Sequence, residues 1–258
     1  MTPGIRKALF ETLYKNKYLY RFASTVPFAG QWREWQRLVL PRLVGHDVLE
    51  LGCGLGDLLA DMLEAGYACQ AVEHSPQMVA AARETLARRK VGSHVRQEHH
   101  VIQGSAQALP FSDGSFDTVV STFPSEYIYD GATLDEVARV LRPGGRLIVV
   151  EGANLLPIGF FQPILVFLQM LVYGPAAVFG PREKRALEDE DARCHGSSSP
   201  GTGITHTNRE TGSDTTTEVV RDAWFGQHIP LERYGLRRRS ERVRSRRWEV
   251  YIIIGEKA

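Results

Sequence analysis

Between Asp47 and Ala65 the chain passes from a short apolar run, Asp47-Val-Leu-Glu-Leu51, through Gly52-Cys-Gly-Leu-Gly56. It then enters a stretch in which Leu58, Leu59, Met62 and Leu63 share one helical face. A strand-sized apolar run ending in glycines, followed by helical spacing, is the first half of a strand–crossover–strand unit. Parallel sheets need such crossovers and hairpin sheets do not. The alternation continues downstream. Cys69–Glu73 reads as a second strand, and Ser75-Pro76 opens a helix to about Arg89, with an N-cap residue followed by proline at the first helical position. Val101-Ile102 and Phe116–Ser121 read as strands, and Thr133 is expected to cap a helix over Leu134–Leu141 that Arg142-Pro-Gly-Gly145 stops. Arg146–Glu151 follows as the fifth strand. Further on, Leu236–Ser245 and Trp248–Gly255 read as strands, with Tyr251-Ile-Ile-Ile254 apolar on both faces as a sheet interior requires. The expected class is α/β, with helices on both faces of a mostly parallel sheet.

Composition narrows the partners. The 258 residues suit one large domain, or one domain carrying an insertion. Lys+Arg number 31 against 30 Asp+Glu, which excludes a strongly basic surface built to neutralise phosphates. Cys53, Cys69 and Cys194 form no close pair, so neither a disulfide framework nor a zinc cluster is indicated. Met1 leads into charged residues without an apolar core, so no secretory signal is read and a cytoplasmic protein is expected. Five zones follow: an aromatic helical cap over 1–40, the alternating core over 41–151, a charge-free insertion over 152–181, a polar linker over 182–220, and closing strands over 221–258.

The glycine turn lets a ligand approach backbone N–H groups without a Cβ in the way. Glu73 closes the second strand 17 residues after Gly56, where an acid in such folds binds ribose hydroxyls. Glu50 precedes the first glycine, so the turn meets its ligand with a carboxylate that would repel a pyrophosphate. Asp57 stands where the dinucleotide fingerprint takes its third glycine. Both facts disfavour a nicotinamide dinucleotide and favour a cationic, ribose-bearing ligand such as S-adenosylmethionine.

Four blocks then carry a resemblance: Val48-Leu-Glu-Leu-Gly-Cys-Gly-Leu-Gly56, Ala71-Val-Glu-His-Ser-Pro-Gln-Met78, Gly104-Ser-Ala-Gln-Ala-Leu-Pro-Phe-Ser-Asp-Gly-Ser-Phe-Asp117 and Leu141-Arg-Pro-Gly-Gly-Arg-Leu147. In order and spacing the chain resembles the class I S-adenosylmethionine-dependent methyltransferases, and most of all the small-molecule branch that includes the quinone-biosynthesis methylases. The resemblance implies a doubly wound, seven-stranded Rossmann-like sheet with a hydrophobic insertion after strand 5. It implies that Glu50, Gly52, Cys53, Gly54 and Gly56 hold the amino-acid end of the cofactor. It further implies that Glu73 binds the ribose, that His74 and Met78 border the adenine, and that Ser105 and Ala106 lie where the family often has Asp-Ala. Met78 in plain helix packing is an equal alternative.

The loop Ser121-Thr-Phe-Pro-Ser-Glu-Tyr127 lacks the Asn/Asp-Pro-Pro-aromatic motif of the amide and nucleic-acid amine methylases. Glu126 and Tyr127 are the candidates to face the acceptor, Glu126 as base or as partner of a cationic amine; the alternative is a solvated glutamate beside a core tyrosine. His74 and His228 are further base candidates, whereas His94, His99 and His100 read as a surface loop and not as a metal site.

Gly152–Pro181 carries no charged side chain. The apolar run between Pro163 and Pro175 makes a helix of about 15 Å, half a bilayer core. It is an ordinary lid, a lid over an apolar acceptor pocket, or a segment dipping into a membrane, and its apolar circumference favours the last two. The basic, aromatic segment Ile5–Phe22 fits a cofactor cap better than a membrane-surface helix. The arginines between Arg237 and Arg247 read as a solvated hairpin and not as a nucleic-acid surface. The expected function is methyl transfer to a small, apolar or lipid-like acceptor. Its rivals are a cofactor-binding module that acts through a partner, and a nicotinamide-dependent oxidoreductase.

Overall fold

The structure is a computed structural model and describes residues 30–91, 100–155, 205–207, 215–219, 230–245 and 248–258. Ile5–Phe22, most of the insertion and linker, His94, His99, Cys194, His228, Arg246 and Arg247 lie outside the described residues.

Helix α1 (Trp32–Gln36) leads through a 3-10 turn (Arg37–Arg42) to strand β1 (Asp47–Leu51), helix α2 (Asp57–Glu64) and strand β2 (Ala68–Glu73). Helix α3 (Pro76–Arg89), strands β3 (Val101–Gln103) and β4 (Phe116–Thr122), a 3-10 turn (Glu126–Tyr129) and helix α4 (Gly131–Val140) come next. Strands β5 (Leu141–Leu155), β6 (Thr205–Thr207) and β7 (Thr215–Val219), a 3-10 turn (Leu231–Tyr234), and strands β8 (Leu236–Ser245) and β9 (Trp248–Lys257) complete the described chain.

The described strands form one sheet in the order β3-β2-β1-β4-β5-β9-β8-β7-β6. Pairing is parallel from β3 to β5 and antiparallel from there on. The seven strands expected from the sequence are therefore present, and β6 and β7 add two more along the β8 edge. Both short strands fall within 182–220, the stretch that reads as a linker.

Alternation along the strands builds two cores. Val48, Val120, Ile148 and Val150 pack with Trp35, Leu58, Leu59 and Met62 on one face. Leu49, Leu51, Val119, Leu147 and Val149 pack with Leu134, Val137 and Val140 of α4 on the other. Strands buried on both faces in this way account for the near-continuous apolar runs. Helix α3 opens as expected, with the Ser75 hydroxyl accepting from Met78 N. Helix α4 does not: its cap is the Asp130 carboxylate, which accepts from Ala132 N, and Thr133 lies fully buried within the first turn. His100, expected on a surface loop, is also buried, because its ring Nδ1 lies 2.8 Å from the Cys69 carbonyl.

Ion pairs tie the layers together. Buried Asp61 of α2 receives Arg33 and Arg37 from the N-terminal side and Arg89 from α3. On the closing hairpin, Arg237, Arg239, Arg242 and Arg244 each pair with Glu256, Glu241 or Glu249. Among the described residues no helix is long and apolar enough to cross a membrane.

Candidate active site

The carboxyl ends of β1, β2, β3 and β4 bring the expected residues to one edge, where open α/β sheets bind ligands beside the point at which strand order reverses. That point lies between β1 and β4. The turn after β1 is held from two sides: Gly52 N donates to Val72 O at 2.8 Å, and Gly54 N donates to Glu73 Oε2 at 3.0 Å. Glu73 also accepts from Ser75 N through Oε1 at 2.9 Å, so one carboxylate braces the glycine turn and the start of α3. Gly52 and Gly56 have φ of +71° and +74°, conformations that disfavour a side chain. A Cβ at Gly52 would lie 2.6 Å from Tyr127 Oη, and one at Gly56 would lie 2.9 Å from Ala82 Cβ. The turn is thus closed around its own backbone.

Glu50 sets the electrostatics. It is buried, and neither carboxylate oxygen has a hydrogen-bond partner. Burial, and then the charges of Glu73, Asp57 and Asp61, push its pKa up to about 8. A buried carboxylate costs several kcal/mol when it ionises without a partner. A cationic donor group is what this site lacks, and the amino-acid ammonium of S-adenosylmethionine fits that deficit. The neighbouring Cys53 thiol is also buried; burial, then Glu50 and Glu73, raise its pKa well above the usual thiol value, so it is no thiolate nucleophile.

The other candidates are spread around this turn. His74 is exposed, and Met78 is fully buried against Leu55 and Ala81. Ser105 and Ala106 are half-buried on the loop after β3, where the Ser105 hydroxyl bonds Gln107. Arg139 anchors that loop by donating to Leu109 O and Phe111 O. Glu126 is exposed on the 3-10 turn. Tyr127 reaches back to β1, donating to Leu51 O at 3.0 Å with Ser121 Oγ at 2.8 Å.

Sequence reasoning missed two features here. Phe123 follows β4 at φ +50°, uncommon for a bulky residue, and stacks on Trp32 at 4.0 Å. Glu151 and Tyr129 form a hydrogen-bonded pair at 2.7 Å. The isolated acid after an apolar strand, Val149-Val150-Glu151, was the available signal for the last. Among the described residues no cluster of three or more metal-ligating side chains occurs.

Residues 49–149 match the family model described as a methyltransferase domain. The chain is 33% identical over 148 residues to the demethylmenaquinone methyltransferase of Corynebacterium glutamicum strain R, covering 56% of this chain and 58% of that protein. It is 37% identical over 136 residues to the demethylmenaquinone methyltransferase of Mycobacterium marinum, covering 51% and 54%. Residues 49–149 are similar to a methyltransferase domain, and over that segment the chain resembles the S-adenosylmethionine-dependent methyltransferases. It spans somewhat over half the length of the curated relatives it matches. Likeness of fold extends beyond the matched segment: the PH0226 protein of Pyrococcus horikoshii superposes with a TM-score of 0.53 at 20% identity, over 94% of this chain and 99% of that one. A Methanococcus maripaludis protein does so with the same TM-score of 0.53 at 13% identity, over 98% and 94%. Asp57 at the dinucleotide-glycine position sets this methyltransferase turn apart from a nicotinamide site.

Proposed function

We propose that this chain transfers a methyl group from S-adenosylmethionine to a small, apolar ring compound. The observation that carries the reading is the buried, unpartnered Glu50 carboxylate beside a glycine turn that Glu73 braces. When bound, the cofactor supplies an electrophilic methyl on a sulfonium. The residues then have distinct tasks. Glu50 meets the ammonium, the glycine turn lets the amino-acid end of the cofactor approach the backbone without a Cβ in the way, and Glu73 accepts from the ribose hydroxyls. His74, with Ser105 and Ala106, borders the adenine, and Met78 packs behind them against Leu55 and Ala81. An in-line displacement draws much of its rate from alignment, so a site that seats both reactants rigidly does most of the catalysis.

For the acceptor, the relatives' name points to a demethylmenaquinone, and the Trp32–Phe123 stack offers an aromatic surface beside β4. Glu126 and Tyr127 belong to this acceptor side of the proposal. So do the cap over 1–40 and the insertion over 152–181, which is read as a lid or a membrane contact. Vesicle flotation checks the membrane contact: the whole chain should float with anionic vesicles and Phe167→Asp should not, whereas equal flotation of both would remove it from the proposal.

The cofactor reading is tested by calorimetry with S-adenosylhomocysteine. The wild-type protein should bind it, and Glu73→Ala should weaken binding by about a hundredfold, the worth of charge-assisted hydrogen bonds to two hydroxyls. Absence of heat with the wild type would overturn the reading.

A further inference from the structure

A second carboxylate stands at the same edge of the sheet. On the β4 side of β5, Val150 pairs with Thr122, the last β4 residue in the ladder. On the β9 side, Val150 pairs with Ile252 and Gly152 with Tyr251, which leaves Glu151 as the extra residue of a β-bulge. Bulges end a pairing and re-aim a side chain, and they gather beside active sites. Here the bulge coincides with the end of the parallel ladder.

The side chain so placed is held on one side only. Tyr129 Oη donates to Glu151 Oε1 at 2.7 Å. Glu151 Oε2 is closed off from solvent and has no hydrogen-bond partner. Tyr129 itself is 39% exposed, so the pair lies at the rim of the site and not deep in the core. The backbone after β4 is tied to the same strand, because Phe123 N donates at 2.7 Å to the carbonyl of Val150, the residue before Glu151. The strand order is β2-β1-β4-β5. A cofactor held over β1 and β2 leaves β4 and β5 for the second reactant, and what the end of β5 carries there is a carboxylate lacking one partner.

We propose that Glu151, oriented by Tyr129, is the proton acceptor for an acceptor molecule of the hydroxyaryl class, one with an O–H on an aromatic ring. This rests on the methyltransferase reading and names its substrate class. In the step, the acceptor O–H bond breaks, a proton–Oε2 bond forms on Glu151, and the electron pair stays on the acceptor oxygen as aryloxide. The aryloxide is the stronger nucleophile, through oxygen or through the ring carbon it activates. The proton returns to water between turnovers.

The charge state suits the task. Burial raises the Glu151 pKa to about 7, while the hydrogen bond from Tyr129 pulls it down. The carboxyl is therefore neutral in acid and an anion on the alkaline side of neutrality, close to the ideal for a base at neutral pH. Of the elements packed around it, β4 offers Ser121 and Thr122, and the 3-10 turn offers Tyr129 with exposed Glu126 further back. Strand β9 offers Tyr251, whose hydroxyl is committed to Glu249, itself paired with Arg242 and Arg244.

The test uses the full chain loaded with S-adenosylhomocysteine, 1-naphthol as probe and 1-methoxynaphthalene as a control without the O–H. Affinity for 1-naphthol should rise about tenfold between about pH 6 and pH 8, as a neutral acceptor becomes a charged one. Glu151→Gln should flatten the rise, Glu151→Asp should keep it, and Tyr129→Phe should move its midpoint to higher pH. The methoxy control should show no rise. A wild-type rise that persists in Glu151→Gln, or appears equally with 1-methoxynaphthalene, overturns the assignment. Heat with S-adenosylhomocysteine separates the two levels. If the wild type binds it but not 1-naphthol, this inference falls and the methyltransferase reading stands; if no heat appears, that reading falls. If Glu151→Gln loses S-adenosylhomocysteine binding and so fails to fold, the midpoint shift in Tyr129→Phe decides.

Discussion

Glu50→Gln should weaken S-adenosylhomocysteine binding by about 10- to 100-fold and, in the same molecule, make the ligand-free protein more stable in alkali. The two effects have one cause. Glu50 is buried with both oxygens unpartnered, and its pKa lies at about 8 instead of the ordinary 4.5. A carboxyl held above its unfolded value favours folding most below pH 4.5 and loses that contribution as the pH climbs through about 8. At about 1.4 kcal/mol for each tenfold change in proton affinity, the loss amounts to a few kcal/mol once the group is ionised. Glutamine, which resembles the neutral acid in size and charge, removes that loss. Wild type and variant should therefore melt together near pH 5 and separate by pH 9, with the variant higher. The ligand inverts the balance. An ammonium arriving at Glu50 favours the anion, so binding near neutrality should expel a proton, and the calorimetric heat of the wild type should vary with the ionisation enthalpy of the buffer. That variation should vanish in the variant. Equal affinity of the two proteins, or melting curves that stay parallel across pH, would remove Glu50 from the cofactor site.

The second large effect is expected at Asp61, and its pH sense is opposite. Burial raises the pKa of this carboxylate, but hydrogen bonds from Arg37, Arg89 and Arg33 outweigh burial and leave it below the usual carboxylate value. Its contribution to stability is complete above that value and disappears as the pH falls through the lowered one. Asp61→Ala should cost about 2 kcal/mol at neutral pH. The figure is modest for a buried group because Arg33 and Arg37 are 46% and 53% exposed and can return to water. The cost should shrink toward acid, as followed by urea unfolding at a series of pH values. A cost that is independent of pH would show that the arginines contribute packing and not charge. The loss should also reach the site, since Arg33 and Arg37 flank Trp35, and Trp32 of the same helix stacks on Phe123.

Local signals made much of this molecule legible. The glycine turn, the Ser75-Pro76 start and the two-faced apolar run at Ile252–Ile254 needed no distant partner to be read, and β1, α3 and β8 fall on the expected residues. The misreadings share a dependence on contacts far along the chain. Asp130 and Thr133 are both good caps in isolation, and burial of Thr133 within the first turn of α4 decides between them. The threonine-rich β7 looks like linker by composition and becomes a strand because β8 presents an open edge. Glu126 and Glu151 were equal as acids in a sequence. The bulge that distinguishes Glu151 exists only because β9 lies along β5, and no window of residues around position 151 contains that information.

That same adjacency has a bearing on how the protein is made. The whole of 156–247 separates β5 from the strand that covers its outer edge, and β9 is buried along nearly its full length. A ribosome will have threaded out the entire nucleotide-type half before the piece arrives that hides the flank of β5. Until then an apolar ribbon with unsatisfied amides faces solvent, the kind of surface that invites pairing between nascent chains. Closing so long a loop is slow relative to forming the neighbouring crossovers. Removing β9 should therefore leave the flank of β5 open and turn folded protein into aggregate.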